Sequence, residues 1–202
     1  KKSILIGNPY NSTLFKAKTN NSKENIIVFV GRLVKGKGAD LLIQSFARID
    51  CAYTLLIIGD GPQLPILQDL VKYHSLSNRV NFTGSLSRSS LYEHINKAKI
   101  MVVPSVWKEP FGIVALEGLA CGCSLLVSDD CGLIDAIGEC GISFRRGSID
   151  DLSEKLSMIT SNPTLFKPQS STVKQHLAKH SSHHISEQYL SLFHQALTNR
   201  RQ

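Results

Sequence analysis

Six short apolar runs separated by stretches of helical period constrain this sequence more than any other feature. They are 26–31 ("IIVFVG"), 53–58 ("YTLLII"), 79–82 ("RVNF"), 100–104 ("IMVVP"), 124–127 ("SLLV") and 141–144 ("GISF"). Their hydrophobicity is continuous rather than alternating, the pattern of strands covered on both faces. Helix-period stretches at 39–49, 62–75, 88–98, 112–121 and 149–160 alternate with them, joined by short turns of Gly, Asp and Ser. Strand and helix in alternation predict an α/β chain with an open, six-stranded parallel sheet wrapped by helices. The opening "KKSILIG" has no initiator Met, and its "SILI", residues 3–6, also reads as a strand, so an upstream partner is expected. From Ser161 onward the character changes: "NPTLFKPQSS" reads as a linker, and 172–198 as one or two helices able to lie across a neighbouring domain.

With 202 residues and 42% hydrophobic content, one ordinary core is expected. No run approaches the roughly 18 apolar residues of a membrane span, and none has the phases of a signal peptide, so a soluble, cytoplasmic chain is expected. The five cysteines, Cys51, Cys121, Cys123, Cys131 and Cys140, form no C-x-x-C pair and read as reduced thiols packed like small hydrophobes. "HSSHH", His180 to His184, reads as a solvated helix face or loop, and no metal site is expected. The formal net charge of +7 favours an anionic ligand or surface. No Lys/Arg block is interleaved with aromatics, which argues against nucleic acid.

In open α/β sheets, ligands bind beyond the carboxyl ends of the strands. "GRLVKGKG", residues 31–38, stands at one such end and nearly matches the P-loop pattern. Gly38 replaces the hydroxyl residue that would hold magnesium, which disfavours a nucleoside triphosphatase. "GDGP", "TGSLS" and "PSVWKEPFG" end three further strands. In "EPFGIVALEGLACG", Pro110 holds Glu109 extended, and a helix starting near Gly112 would offer the amides of Gly112, Ile113 and Val114 to an anion or hydroxyl. Glu109 and Glu117 then flank that helix start. Alone, the two acids also fit solvated charges at a helix end. Arg32 and Lys37, at a strand end opening onto the same edge, favour the other reading: cations for a diphosphate and carboxylates for hydroxyls suit a sugar nucleotide. "SDD", 128–130, reads as a turn rather than part of a magnesium ligand set.

"GRLVKGKG", "IIGDGP", "VNFTGSLS", "VVPSVWKEPFGIVALEGLACG" and "CGLIDAI" stand in the order and spacing of the C-terminal half of retaining, nucleotide-sugar-dependent glycosyltransferases of family four (group 1). The chain resembles that family continuously over roughly residues 1 to 160, and the E-x7-E element with "PFG" is specific to it. The resemblance implies a Rossmann-like, three-layer α/β/α domain, the C-terminal half of a GT-B fold. Residues 1–160 would bind the nucleotide sugar, and 161–202 would form a helical segment packing on this domain or crossing to a missing N-terminal one. It also implies roles. Arg32 and Lys37 would contact the donor diphosphate and stabilise the leaving group, as preorganised cations do. Glu109 would face the donor sugar, with Phe111, Gly112, Ile113 and Val114 around it. Glu117 would accept hydrogen bonds from the ribose hydroxyls. Backbone groups of Gly84, Ser85 and Leu86 would edge the base, and Gly61 with Pro62 would shape the wall. Arg32, Lys37 and Glu109 would form the catalytic set, with no metal or other cofactor.

"IGNPYNSTLF" is similar to the family's interdomain Asn-Gly-x-Asp segment, with Asn8 and Asn11 matching in part and Pro9 in place of the Gly. The usual Gly-Gly-x-x-Glu reads here Cys131-Gly132-Leu133-Ile134-Asp135, which bears on loop shape near the donor. The implied activity is hexose transfer with retention, in envelope or surface polysaccharide or glycolipid synthesis. The acceptor would be held by the N-terminal domain, with peripheral contact at the inner face of the plasma membrane. UDP is the first expectation for the nucleotide, with GDP and ADP after it. Two rival readings remain at this stage: another GT-B enzyme, such as a phosphorylase or epimerase, and a non-catalytic nucleotide-sugar-binding domain.

Overall fold

The computed structural model describes residues 4, 6–18, 22–129, 131–163 and 166–199. The elements are β1 (Glu24–Val30), α1 (Ala39–Phe46), β2 (Thr54–Ile58), α2 (Leu64–Tyr73), β3 (Val80–Gly84), α3 (Arg88–Lys97), β4 (Ala98–Val103), α4 (Ile113–Ala120), β5 (Ser124–Ser128), α5 (Cys131–Ile137), β6 (Gly141–Phe144), α6 (Ile149–Ser161), α7 (Ser170–Lys179) and α8 (Ser182–Asn199). The strands form one parallel sheet in the order β3-β2-β1-β4-β5-β6. Strand order reverses between β1 and β4, so the helices that follow them, α1 and α4, lie on opposite faces and a crevice opens at the sheet's carboxyl edge.

Continuous apolar strands have a direct consequence in packing. Ile27 and Phe29 of β1 face one core, shared with Leu42 and Phe46 of α1, Leu67 of α2 and Leu152 and Leu156 of α6. Val28 faces the other, shared with Ile95 of α3, Leu116 and Leu119 of α4 and Leu133 of α5. Each such side chain, fully buried, contributes about 1.5–3 kcal/mol. Two cores back to back make the three layers that the alternation predicted. Cys121, Cys123 and Cys140 are buried in the second core and unpaired, as small hydrophobes are.

Three local expectations need correction. Residues 131–137, expected only as a loop with a motif, form the helix α5, and Gly132 explains its position: a Cβ there would collide with the carbonyl oxygen of Glu109. α5 is thereby seated against the loop that carries Glu109. Of the "SILI" run, Ile4 and 6–10 are in no strand, and Ser3 and Leu5 lie outside the described residues. The segment is tied instead to the end of α7, the Tyr10 amide donating to the His180 carbonyl at 3.2 Å. His180 is not a solvated residue, since its ring is half-buried against Phe111 with centroids 5.3 Å apart. In the expected linker, Thr164 and Leu165 lie outside the described residues. The tail forms two helices. α7 packs on α4, its His176 ring nitrogen bonding the Ala136 carbonyl at 2.8 Å. α8 exposes Tyr189, Leu190, Phe193 and Leu197. None of the described helices is long and apolar enough to cross a membrane.

Candidate active site

The loop after β1 and the loop after β4 meet over the crevice. Gly38, the position that breaks the P-loop pattern, has φ 77° and lies where a Cβ would collide with the Pro104 carbonyl. Only glycine fits so close an approach in that conformation. The amides of Val106 and Trp107 both donate to the Gly36 carbonyl, at 2.8 and 3.3 Å, and close the seam between the loops. A cleft of about 560 Å³ opens beside it, and it gathers Arg32, Lys37, Glu109, Phe111, Gly112, Ile113, Val114 and Glu117. Residues far apart in sequence thus converge on one cavity, which is what a shared ligand requires.

Glu109 is the most constrained group in the cleft. Its Oε1 accepts from Lys37 Nζ at 2.6 Å, Ser105 Oγ at 2.6 Å and Trp107 Nε1 at 2.9 Å. Burial works to raise its pKa, but these three hydrogen bonds and the Lys37 charge outweigh it, and the carboxyl is held below its ordinary value. Ser105 is fixed in turn, its carbonyl accepting from the buried Ser128 hydroxyl at 2.7 Å. Arg32 lies exposed at the mouth of the cleft.

The second acid is in the opposite situation. Glu117 stands in the second turn of α4, a helix whose Ala115, Leu116, Leu119 and Ala120 are buried. Burial pushes its pKa up to about 7, with the Arg88 charge opposing. Among the described residues no side chain donates a hydrogen bond to it. α4 begins at Ile113 with Gly112 as its N-cap and no side chain bonded there, so its first amides open onto the cleft. A partial positive charge and unpaired donors at this point suit an anion or a hydroxyl-rich ligand.

Gly61 and Pro62 line a second depression of about 610 Å³ with Val34 and Asp60. Arg32 borders both hollows and joins them. Gly84, Ser85 and Leu86 line neither one. Gly84 receives the Gly59 amide at 2.9 Å beside the second depression's strand, and Leu86 packs partly into the second core. Asp129, from the expected turn, accepts the Arg146 amide at 2.7 Å, while Asp130 and the side chain of Cys131 lie outside the described residues. Ser105, Trp107 and Arg88 were not picked out from sequence. A hydroxyl residue directly after a strand end and a tryptophan two positions before an acid were the available signals.

The chain is similar to known proteins over most of its length. The description "Glycosyl transferases group 1" matches residues 11–176. An uncharacterized glycosyltransferase of Methanocaldococcus jannaschii, MJ1607, is 38% identical over 116 residues, covering 56% of this chain and 30% of its own. The sucrose-phosphate synthase of Thermosynechococcus elongatus superposes with a TM-score of 0.84 at 26% identity, over 97% of this chain and 53% of that one. Anabaena Alr3699/HepE, solved in complex with UDP and glucose, has the same fold at a TM-score of 0.81 and 19% identity, over 94% of this chain and 56% of its own. The chain therefore spans between about a third and just over half of these relatives. Its sheet and helices have the Rossmann-like form found in GT-B glycosyltransferases. On the match across 11–176, with the loops after β1 and β4 closing over one cleft, the chain belongs to the group 1 glycosyl transferases.

Proposed function

We propose that this chain is the donor-binding, C-terminal half of a retaining family-four glycosyltransferase, which moves a hexose from a UDP-sugar to an acceptor. The observation that carries this reading is the cleft itself, where cations, a helix start and two differently tuned carboxylates converge. Lys37 and Arg32 take the donor diphosphate, and in the reaction they stabilise the charge that grows on the departing nucleoside diphosphate. Glu109, held ionised, presents its Oε2 to a sugar hydroxyl. The free amides at the start of α4 bind sugar hydroxyls or phosphate oxygens, and Glu117 accepts from the ribose. Gly61 and Pro62, with Gly84 to Leu86, belong to the base end of the donor.

The UDP and glucose in the HepE complex support the nucleotide and the hexose. The acceptor, a saccharide or glycolipid, is held by an N-terminal domain outside this sequence, and the exposed apolar stripe of α8 supports a crossing of the tail toward that domain. The net charge of +7 supports work at an anionic cytoplasmic membrane face, on envelope or surface glycans. With one wall of the cleft absent, the 202-residue chain binds nucleotide but turns over little.

Calorimetric titration with UDP, GDP and ADP, without metal and then with magnesium, tests the reading. One nucleotide is expected to saturate the chain without metal, and Lys37→Ala to weaken it about tenfold or more, since hydrogen bonds to charged groups are worth about 1.5–3 kcal/mol. Equal affinity in Lys37→Ala would remove Lys37 from the diphosphate, and absence of all binding would sink the donor assignment for this chain.

A further inference from the structure

The chain has one tryptophan, Trp107, and it touches both members of the ion pair in the cleft. Its indole N–H donates to Glu109 Oε1 at 2.9 Å, and its ring centroid lies 4.9 Å from the Lys37 ammonium. The side chain is 46% exposed, so filling the core does not account for its position. Its backbone amide donates to the Gly36 carbonyl at 3.3 Å, and a Cβ added at Gly36 would lie 3.6 Å from the indole's Cγ. Lys37 and Glu109 are more enclosed, their side chains 25% and 11% exposed.

We propose that Trp107 is a positioning residue of the donor site: it holds Lys37 on Glu109 while the site is empty, and it keeps Glu109 in place when a diphosphate draws Lys37 away. This rests on the donor-binding reading above. Lys37, 2.6 Å from Glu109, carries a single charge, and a phosphate that draws its ammonium toward itself weakens its hold on the carboxylate. Its ammonium is a point charge on a flexible stem and can swing between the two, with the indole face attracting it on the way. Once it leaves, Glu109 is an enclosed carboxylate beside an anionic ligand, the situation that favours protonation or displacement. Ser105 and the indole N–H still hold Oε1, so the carboxylate stays ionised and oriented with Oε2 free. A phenylalanine would preserve the face for Lys37 and lose the N–H for Glu109.

Two measurements on the 202-residue chain test this, with UDP as the probe, or whichever of UDP, GDP and ADP saturates it in calorimetry. First, the emission of the single tryptophan is expected to shift as Lys37 leaves its ring, saturating along the calorimetric curve. Second, nucleotide affinity is measured in Trp107→Phe, Glu109→Gln and the double variant. Trp107→Phe is expected to bind about fivefold more weakly than the parent. Glu109→Gln, which releases Lys37, binds more tightly than the parent, and in that background Trp107→Phe changes affinity by less than about twofold. Tryptophan emission unmoved at saturation would overturn the proposal, as would an equal Trp107→Phe loss in both backgrounds. Either result with nucleotide still bound leaves the donor reading standing, whereas no binding of any nucleotide sinks both.

Discussion

Glu117→Gln should make the protein more stable at pH 8 and worse at binding its donor. The folded-state pKa of Glu117 is raised from an ordinary 4.5 to about 7, chiefly by burial. The native state therefore keeps a proton that the unfolded chain releases, and between pH 4.5 and about 7 stability falls as pH rises. Above about 7 both states are ionised and the loss is constant. Each pKa unit is worth about 1.4 kcal/mol, so between pH 5 and 8 the full shift would amount to about 2.5 kcal/mol. Partial exposure screens the charge and brings this to the order of 2 kcal/mol. Glutamine has nearly the same shape and carries no charge, so it escapes the loss. Thermal unfolding of parent and variant at both pH values is the assay. Groups common to the two cancel in the difference, which should grow by about 4–8 °C in favour of the variant from pH 5 to pH 8. A difference that stays constant across this range would show that Glu117 does not titrate high in the folded protein. The same variant should lose about tenfold in nucleotide affinity, because ribose hydroxyls lose a charged acceptor.

Gly132→Ala places a Cβ against the Glu109 carbonyl and 2.8 Å from the Phe111 amide nitrogen, both backbone groups that cannot rotate away. About 1–3 kcal/mol of stability should be lost in denaturant titration, as in other over-packed sites, and an unchanged midpoint would mean that α5 stands off the Glu109 loop. Arg48→Gln removes an ion pair to Asp150 whose side chains are 51% and 84% exposed. Its effect on stability should stay below about 1 kcal/mol and fade with salt; a larger loss would show that the pair is shielded from water.

The six strands were legible because a strand buried on both faces leaves a continuous apolar run, and β1, with Ile27 and Phe29 on one side and Val28 on the other, is the plainest case. α5 was not legible. Seven residues hold two turns, too few to show a period, and its place is set by the contact of Gly132 with the Glu109 loop. Of the "SILI" run, Ile4 and Ile6 are in no strand, because apolar residues make one only where a neighbour supplies partners, while Ser3 and Leu5 lie outside the described residues. In the site, Arg32, Lys37, Glu109 and Glu117 were readable as residue types at strand ends, and the fold brings all four to one cleft. Ser105 and Trp107 were not. Their convergence on one oxygen comes from the path of their own loop, Ser105 four and Trp107 two residues before Glu109, an irregular stretch with no period to mark it.

Glu109 and Glu117 border the same cleft, yet their environments push them apart. Glu109 has three donors on one oxygen and is held in its charged form. Glu117 has burial and only the Arg88 charge to oppose it, and titrates near neutrality. The division follows from where each sits on the chain: Glu109 in an extended segment that Lys37 reaches from the other loop, Glu117 one turn into α4, past the free amides at its start. On the donor reading, this sets an order of events. The sugar end of the site is charged and rigid before any ligand arrives. The ribose end becomes charged only when hydroxyls supply the missing donors, so binding below pH 7 should release a proton. Calorimetry at pH 6 in buffers of different ionisation enthalpy measures that release directly. A fraction of a proton should be released per nucleotide bound by the parent, and markedly less by Glu117→Gln. Equal release from both would assign the proton to another group and leave Glu117 outside the ribose contact.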